Sequence, residues 1–336
     1  MLLGNAMPSG SIDHAFTATS TLGPAGDPTY AGALSFLRRR FTKDLGTSDV
    51  VVWGVPFDSA VSNRSGARFG PQALRRASAI FDNDPQYPFE RDLFEAMAVT
   101  DYGDCLLDYR LPEMAHARIR EQAKDILTSG AFLLSLGGDH SITYPLLQAH
   151  ADRHGPLALV HFDAHQDTWP LAMGPDGSLR VDHGSFVSAA VGDGLIDPAA
   201  SLQVGIRTHA PTDEGIEILF GLELEDMSAN VVAQRIAEKT NGRKVYLTFD
   251  IDCLDPAYAP GTGTPVSGGP SSAKMLSVLS RLRALPLAGA DVVEVAPAYD
   301  HADITAVAGS AVAMYILGIL ASQGFRAGIR SAEATS

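Results

Sequence analysis

Three apolar runs in this chain end abruptly in acidic and imidazole side chains: Leu133 to His140, Ala158 to Asp167 and Val245 to Asp252. A run that is apolar at nearly every position suits a strand buried on both faces, the kind found in parallel sheets covered by helices. In such a sheet the carboxyl ends of the strands share one edge, where ligands bind. The three polar ends therefore meet. They bring His140, Asp163, His165, Asp167, Asp250 and Asp252 to one place, two imidazoles and four carboxylates. Such a set is too anionic for a protein interior without cations. Two divalent metals are its simplest occupants, and hydrolysis is their simplest use.

The rest of the chain fits that frame. Strands are expected over 49–56, 97–102, 131–136, 157–162, 201–206, 245–249 and 289–295. Helices are expected from Gly70-Pro71 onward and over 112–129, 228–239 and 271–284. Alternation of this kind predicts an α/β fold with helices on both faces of the sheet. Residues 1–30, rich in Gly, Ser, Thr, Ala and Pro, read as a flexible N-terminal arm, and 31–336 as a single domain. Residues 307–324 carry no charge, long enough to raise a membrane question. Their Gly, Ala and Ser content favours a buried helix.

Charge narrows the function. The 336 residues carry a formal net charge of −14 and no Lys/Arg stripe, which argues against nucleic acid as a partner. Arg38-Arg39-Arg40 reads as a solvated patch or a contact between subunits. The two cysteines, Cys105 and Cys253, match no zinc spacing or disulfide framework. With no signal-peptide pattern at residues 1–10, a cytoplasmic location is expected, with no membrane association.

Spacing supports metal binding. In extended chain alternate side chains share a face, so Asp163, His165 and Asp167 can aim together, as can Asp250 and Asp252 with Ile251 turned to the core. Imidazole suits Mn, Ni, Fe or Zn, whereas an all-oxygen Mg or Ca site has no need of it. His161 shares the parity of Asp163 one step deeper and reads as a buried histidine, either one that supports a ligand from behind or one that belongs to the core. Gly137-Gly138 lets the backbone turn sharply beside the site. The Pro- and Gly-rich stretch 256–269 reads as a pocket wall.

These segments resemble the signatures of the ureohydrolase family, also called the arginase/agmatinase family. The matching stretches are Leu136-Gly-Gly-Asp-His140-Ser-Ile-Thr, Val160-His-Phe-Asp163-Ala-His165-Gln-Asp167, and Thr248-Phe-Asp250-Ile-Asp252 through Pro260-Gly261 to Gly269. The agmatinase branch is nearest. Its likeness extends to Gly54-Val-Pro-Phe-Asp58, Gly66-Ala-Arg-Phe-Gly-Pro71 and Asp291-Val-Val-Glu294-Val-Ala-Pro297. The resemblance implies a three-layer arginase-like fold with an eight-stranded parallel sheet, a binuclear site for manganese or alternatively nickel, and homotrimers or homohexamers. It implies His140, Asp163, Asp167 and Asp250 around one metal and Asp163, His165, Asp250 and Asp252 around the other. A water activated between them would attack the guanidinium carbon, with Asp167 orienting it or taking its proton. Glu294 would pair with the guanidinium, His183 would protonate the leaving amine, and Thr264 would offer a pocket hydroxyl.

The substrate implied first is agmatine, giving putrescine and urea. Alternatives are guanidinobutyrate, guanidinopropionate, guanidine, or a biguanide such as metformin, which would yield guanylurea and dimethylamine. A second alternative is a non-catalytic subunit of a heteromeric hydrolase, paired with a homologous chain. Several stretches depart from the agmatinase pattern: the loop 168–182, Ser141, Ser185-Phe186-Val187, and Phe81-Asp82-Asn83-Asp84. An anionic substrate tail would call on Arg64, Arg180 or Arg207, and a cationic one on Asp176, Asp182 or Asp300.

Overall fold

The computed structural model describes residues 21–22, 29–81, 85–90 and 92–324. The expected arm falls almost wholly outside the described residues, as does Asp82-Asn83-Asp84. The strands are β1 (Arg40–Phe41), β2 (Val50–Val55), β3 (Val99–Asp104), β4 (Phe132–Gly137), β5 (Ala158–Phe162), β6 (Ala172–Met173), β7 (Leu179–Arg180), β8 (Leu202–Ile206), β9 (Glu217–Phe220), β10 (Val245–Asp250) and β11 (Leu287–Val293). The helices are α1 (Gly70–Ser78), α2 (Leu93–Ala96), α3 (Ala115–Leu127), α4 (Thr143–His154), α5 (Phe186–Gly192), α6 (Gly221–Asp226), α7 (Ala229–Thr240), α8 (Ser272–Leu279) and α9 (Ile304–Ser322).

Nine strands form one parallel sheet in the order β1-β3-β2-β4-β11-β10-β5-β8-β9, while β6 and β7 make a small antiparallel hairpin. The eight strands implied by the resemblance are therefore corrected to nine. β1, only two residues long, adds itself to the edge because Asp101 of β3 accepts from both Phe36 N and Thr42 N.

Every residue of β2, β4, β5, β8, β10 and β11 is buried, as strands covered on both faces require. Successive side chains feed two cores. Val50, Val52, Leu134, Val160 and Leu247 pack on one face with α7, α8 and α9. Val51, Trp53, Leu133, Leu159 and Tyr246 pack on the other with α3, α4 and α5. Helix α9 is apolar all round and is the described helix long enough to cross a membrane, but 89% of its most apolar stretch is buried inside this protein.

The surface patch expected at Arg38-Arg39-Arg40 is also corrected. Arg38 and Arg39 are buried: Arg38 Nη2 donates to Thr29 O, and the Arg39 guanidinium lies 3.9 Å over the Phe94 ring. Their long apolar stems and delocalised charge allow that burial.

The chain order sets up the site. After β4 the chain skips two sheet positions to β5, and β10 and β11 later fill the gap. The carboxyl ends of β4, β11, β10 and β5 thus stand side by side at a topological switch point.

Candidate metal centre

The six expected ligand side chains converge at that edge. His140 Nδ1 lies 2.9 Å from Asp163 Oδ2, 3.2 Å from Asp167 Oδ2 and 3.1 Å from Asp250 Oδ2. His165 Nδ1 lies 3.3 Å from Asp163 Oδ1 and 3.2 Å from Asp252 Oδ2. Asp163 therefore turns one oxygen to each half of the cluster. Five of the six residues are buried, and His165 is half-buried. Ligand atoms of His140, His161, Asp163 and Asp167 fall within 4.8 Å of one another, as do those of Asp163, His165 and Asp252.

Convergence comes from turns, not from strand alternation as the spacing suggested. β5 ends at Phe162, and Asp167 adopts a left-handed backbone with φ of 52°. Asp250 closes β10, and Asp252 lies in the short 3-10 turn Ile251–Cys253, its N–H donating to Asp250 Oδ1 at 2.7 Å. Ile251 does turn into the core. Gly138 earns its place by close approach, since a Cβ there would lie 2.0 Å from Phe57 O.

The electrostatics ask for cations. Burial pulls His165 down, yet Asp252 and Asp163 outweigh it and push its pKa up to about 12. His140 is likewise raised well above its ordinary value against burial, by the carboxylates of Asp163, Asp167 and Asp250 that face its ring. Burial and the charges of Asp252 and Asp163 lift Asp250 well above the carboxylate range. His140 Nδ1 is a buried atom without a hydrogen-bond partner, facing three carboxylates. Protons forced onto imidazoles by surrounding acids stand where divalent ions would satisfy the same oxygens. The donor set fits two such metals.

Around the cluster, Glu294 follows β11 in a left-handed backbone with φ of 63°. Its Oε1 accepts from His140 N at 2.9 Å and lies 3.2 Å from His183 Nδ1. Its Oε2 is buried and has no partner. His183 Nε2 sits 3.0 Å from Ser62 N and 2.8 Å from Ser62 Oγ. Burial lowers the His183 pKa, but the bond to and charge of Glu294 outweigh it and raise it to about 9. Thr264 Oγ1 donates to Asp252 Oδ2 at 3.2 Å, placing it beside the cluster.

The charged side chains expected to meet a substrate tail are mostly occupied. Arg207 is spent on backbone carbonyls, among them those of Asp252, Cys253, Leu254 and Val266, and so pins the loop that follows β10. Asp300 caps α9 through Thr305 N and Ala306 N. Asp182 binds Ser185 Oγ and Gly184 N. Arg180 and Asp176 pair within the hairpin at 3.1 Å. Arg64 bonds Gly263 O and stacks 4.5 Å over Tyr299 at the rim.

Sequence reasoning gives no role to Ser62, Thr248, Asp291 and Gln203, although Thr248 and Asp291 stand in the matching stretches. The last three carried a signal: a polar residue inside a run otherwise fit for a buried strand.

The arginase family model matches residues 48–318. An agmatinase from Chromobacterium violaceum is 47% identical over 92% of this chain and 95% of its own. A crystal structure of a hypothetical agmatinase from Burkholderia thailandensis is 51% identical, with a TM-score of 0.90 over 93% of this chain and 98% of that one. The proclavaminate amidino hydrolase of Streptomyces clavuligerus is 37% identical, with a TM-score of 0.83 over 88% and 99%.

Proposed function

The chain belongs to the arginase family, and from that premise we propose that it hydrolyses the guanidino C–N bond of agmatine, releasing urea and putrescine. The observation that carries this reading is the bare, buried Glu294 Oε2 next to the cluster of acids and imidazoles. A carboxylate oxygen held there accepts the N–H fork of a planar guanidinium. The identity to agmatinases over most of the chain supports agmatine as the guanidine.

The family depends on two metals. We assign His140, Asp163, Asp167 and Asp250 to one and Asp163, His165, Asp250 and Asp252 to the other. Manganese is the proposed ion, with nickel as the alternative, because imidazole and carboxylate together suit both. Bound there, the ions would supply a water acidic enough to act as a nucleophile at neutral pH. Asp167, whose Oδ2 lies 3.2 Å from His140 Nδ1, would accept a hydrogen bond or proton at the cluster. Glu294, through its free Oε2, would hold the guanidinium in a fixed orientation beside the cluster. His183 delivers the proton to the departing amine. Its neighbours pull in opposite senses: Ser62 N–H favours a bare Nε2, and the Glu294 charge favours the cation. A ring so placed takes up and releases a proton readily. Thr264 steadies Asp252 and lines the pocket.

We read residues 31–336 as one catalytic domain acting as a homotrimer or homohexamer. Exposed Leu106, Tyr109, Leu111 and Met114, close together in the chain, support a subunit contact. Cys105 and Cys253, both free and buried, suit a reducing cytoplasm.

The test is product release from agmatine, guanidinobutyrate, guanidinopropionate, arginine, guanidine and metformin by protein reconstituted separately with Mn²⁺ and Ni²⁺. Urea and putrescine from agmatine are expected. Turnover of another guanidine with agmatine untouched would overturn the assignment.

A further inference from the structure

A row of side chains crosses the sheet directly beneath the cluster. Gln203 of β8 pairs in register with His161 of β5, His161 with Thr248 of β10, Thr248 with Asp291 of β11, Asp291 with Ser135 of β4, and Ser135 with Trp53 of β2. All six are completely buried at 0% exposure. Two residues farther along the chain come Asp163, just past the end of β5, and Asp250, the last residue of β10. Polar groups buried in a sheet are costly unless their bonds are made, so their pattern of donors and acceptors is informative.

At the centre, the Asp291 carboxylate accepts from Thr248 Oγ1, from Tyr246 OH at 2.8 Å and from Thr143 Oγ1 at 2.8 Å. Thr248 has one hydroxyl proton, and Asp291 takes it. What Thr248 offers His140 Nε2, at 2.8 Å, is a lone pair. A His140 proton is therefore held on Nε2 by Thr248, which leaves Nδ1, facing the three carboxylates, as the nitrogen a metal ion would take.

The other end of the row is wired in reverse. The Gln203 amide nitrogen donates to Gln166 O at 2.6 Å, which fixes the amide's orientation. Its second hydrogen meets His161 Nδ1 at 3.0 Å. Nδ1 is thus the acceptor, and the His161 proton sits on Nε2, 2.8 Å from Asp163 Oδ2. Proximity alone does not separate the two histidines, since both crowd the same carboxylates and their rings are 4.9 Å apart. Their far-side partners do.

We propose that this transverse row sets the two histidines in opposite roles, His140 as a metal ligand through Nδ1 and His161 as a proton-bearing clamp on Asp163, with Thr248, Asp291 and Gln203 as the positioning residues. The proposal rests on the two-metal reading and adds to it the residues that prepare the ligands.

The experiment is Mn²⁺ titration of metal-free protein, by calorimetry and by chelator competition, alongside metal-free melting curves. Thr248→Val is expected to weaken Mn²⁺ binding about 10- to 100-fold. Thr248→Ser, which keeps the hydroxyl, is expected to bind as the parent does. Asp291→Asn should weaken binding similarly, and Thr248→Val with Asp291→Asn should bind no worse than Thr248→Val alone, because both act through one bond. Gln203→Met should weaken Mn²⁺ binding by releasing the clamp on Asp163. A folded Thr248→Val with parental affinity, or a Thr248→Ser that fails to restore it, would overturn the row's role while leaving the metal site standing. A parent protein that binds neither Mn²⁺ nor Ni²⁺ would sink both readings together.

Discussion

The floor of the site and its rim are built on opposite plans. On the floor, His140, Asp163, Asp250 and Asp252 are buried and held by strand ends and turns. At the rim, the hairpin of β6 and β7 is exposed, its Arg180 and Asp176 neutralise each other in solvent, and Ser62 reaches His183 from an open loop. A floor made that way fixes one chemistry, because each oxygen is aimed before any ligand arrives. A rim made that way leaves the choice of substrate tail to side chains that can change at little cost to the fold.

The comparison can be broken from the floor upward. The largest effect is expected at Asp163, which serves both halves: Asp163→Ala should strip metal and abolish urea release while circular dichroism stays native. A variant that remains active with full metal content would refute the shared role. Glu294→Gln comes next, with kcat/KM expected to fall about 10²- to 10³-fold, since it removes a charge aimed at the reacting group. Mn²⁺ binding should be kept, and its loss would mean that Glu294 is structural.

His183→Asn offers a test in pH. The folded pKa of His183, about 9, lies above its ordinary 6.5. A raised histidine pKa contributes stability that is fully present below 6.5 and is lost as pH climbs through 9. The gap in metal-free melting temperature between parent and variant should therefore shrink between those pH values. A gap that stays constant would remove the Glu294–His183 bond from the account. At the rim proper, Ser62→Ala should lower kcat by about tenfold or less, the effect of losing one hydrogen bond to the His183 ring. The smallest change is expected from Asp176→Ala with Arg180→Ala. An exposed pair contributes little, so melting should barely move, and any effect should fall on KM. A collapse of kcat there would show that the rim is part of the machinery after all.

Much of the floor was legible in advance because buried parallel strands leave so little choice of residue. The runs that became β4, β5 and β10 are apolar up to the point where they end in ligands, so both strand and site could be read together. β1 and β9 were not legible. Arg40–Phe41 is too short to show a period, and Glu217–Phe220 is a half-buried edge strand. The route to convergence was misread because alternation was carried past the last strand residue, where Asp167 and Asp252 turn instead. Arg207 and Asp300 show a different gap, since their charge suggested ligands while their partners are backbone groups made available only by the folded loops.

Asp167 and Glu294 share a backbone conformation that glycine tolerates and other residues resist, at roughly 1–2 kcal/mol each. Relief of backbone strain alone would favour glycine at both positions. It would also delete the side chains on which turnover depends. A lineage freed from the need for this reaction should therefore lose those two residues early. Glycine at 167 or 294 in an otherwise intact homologue is accordingly a mark of lost catalysis, readable without an assay.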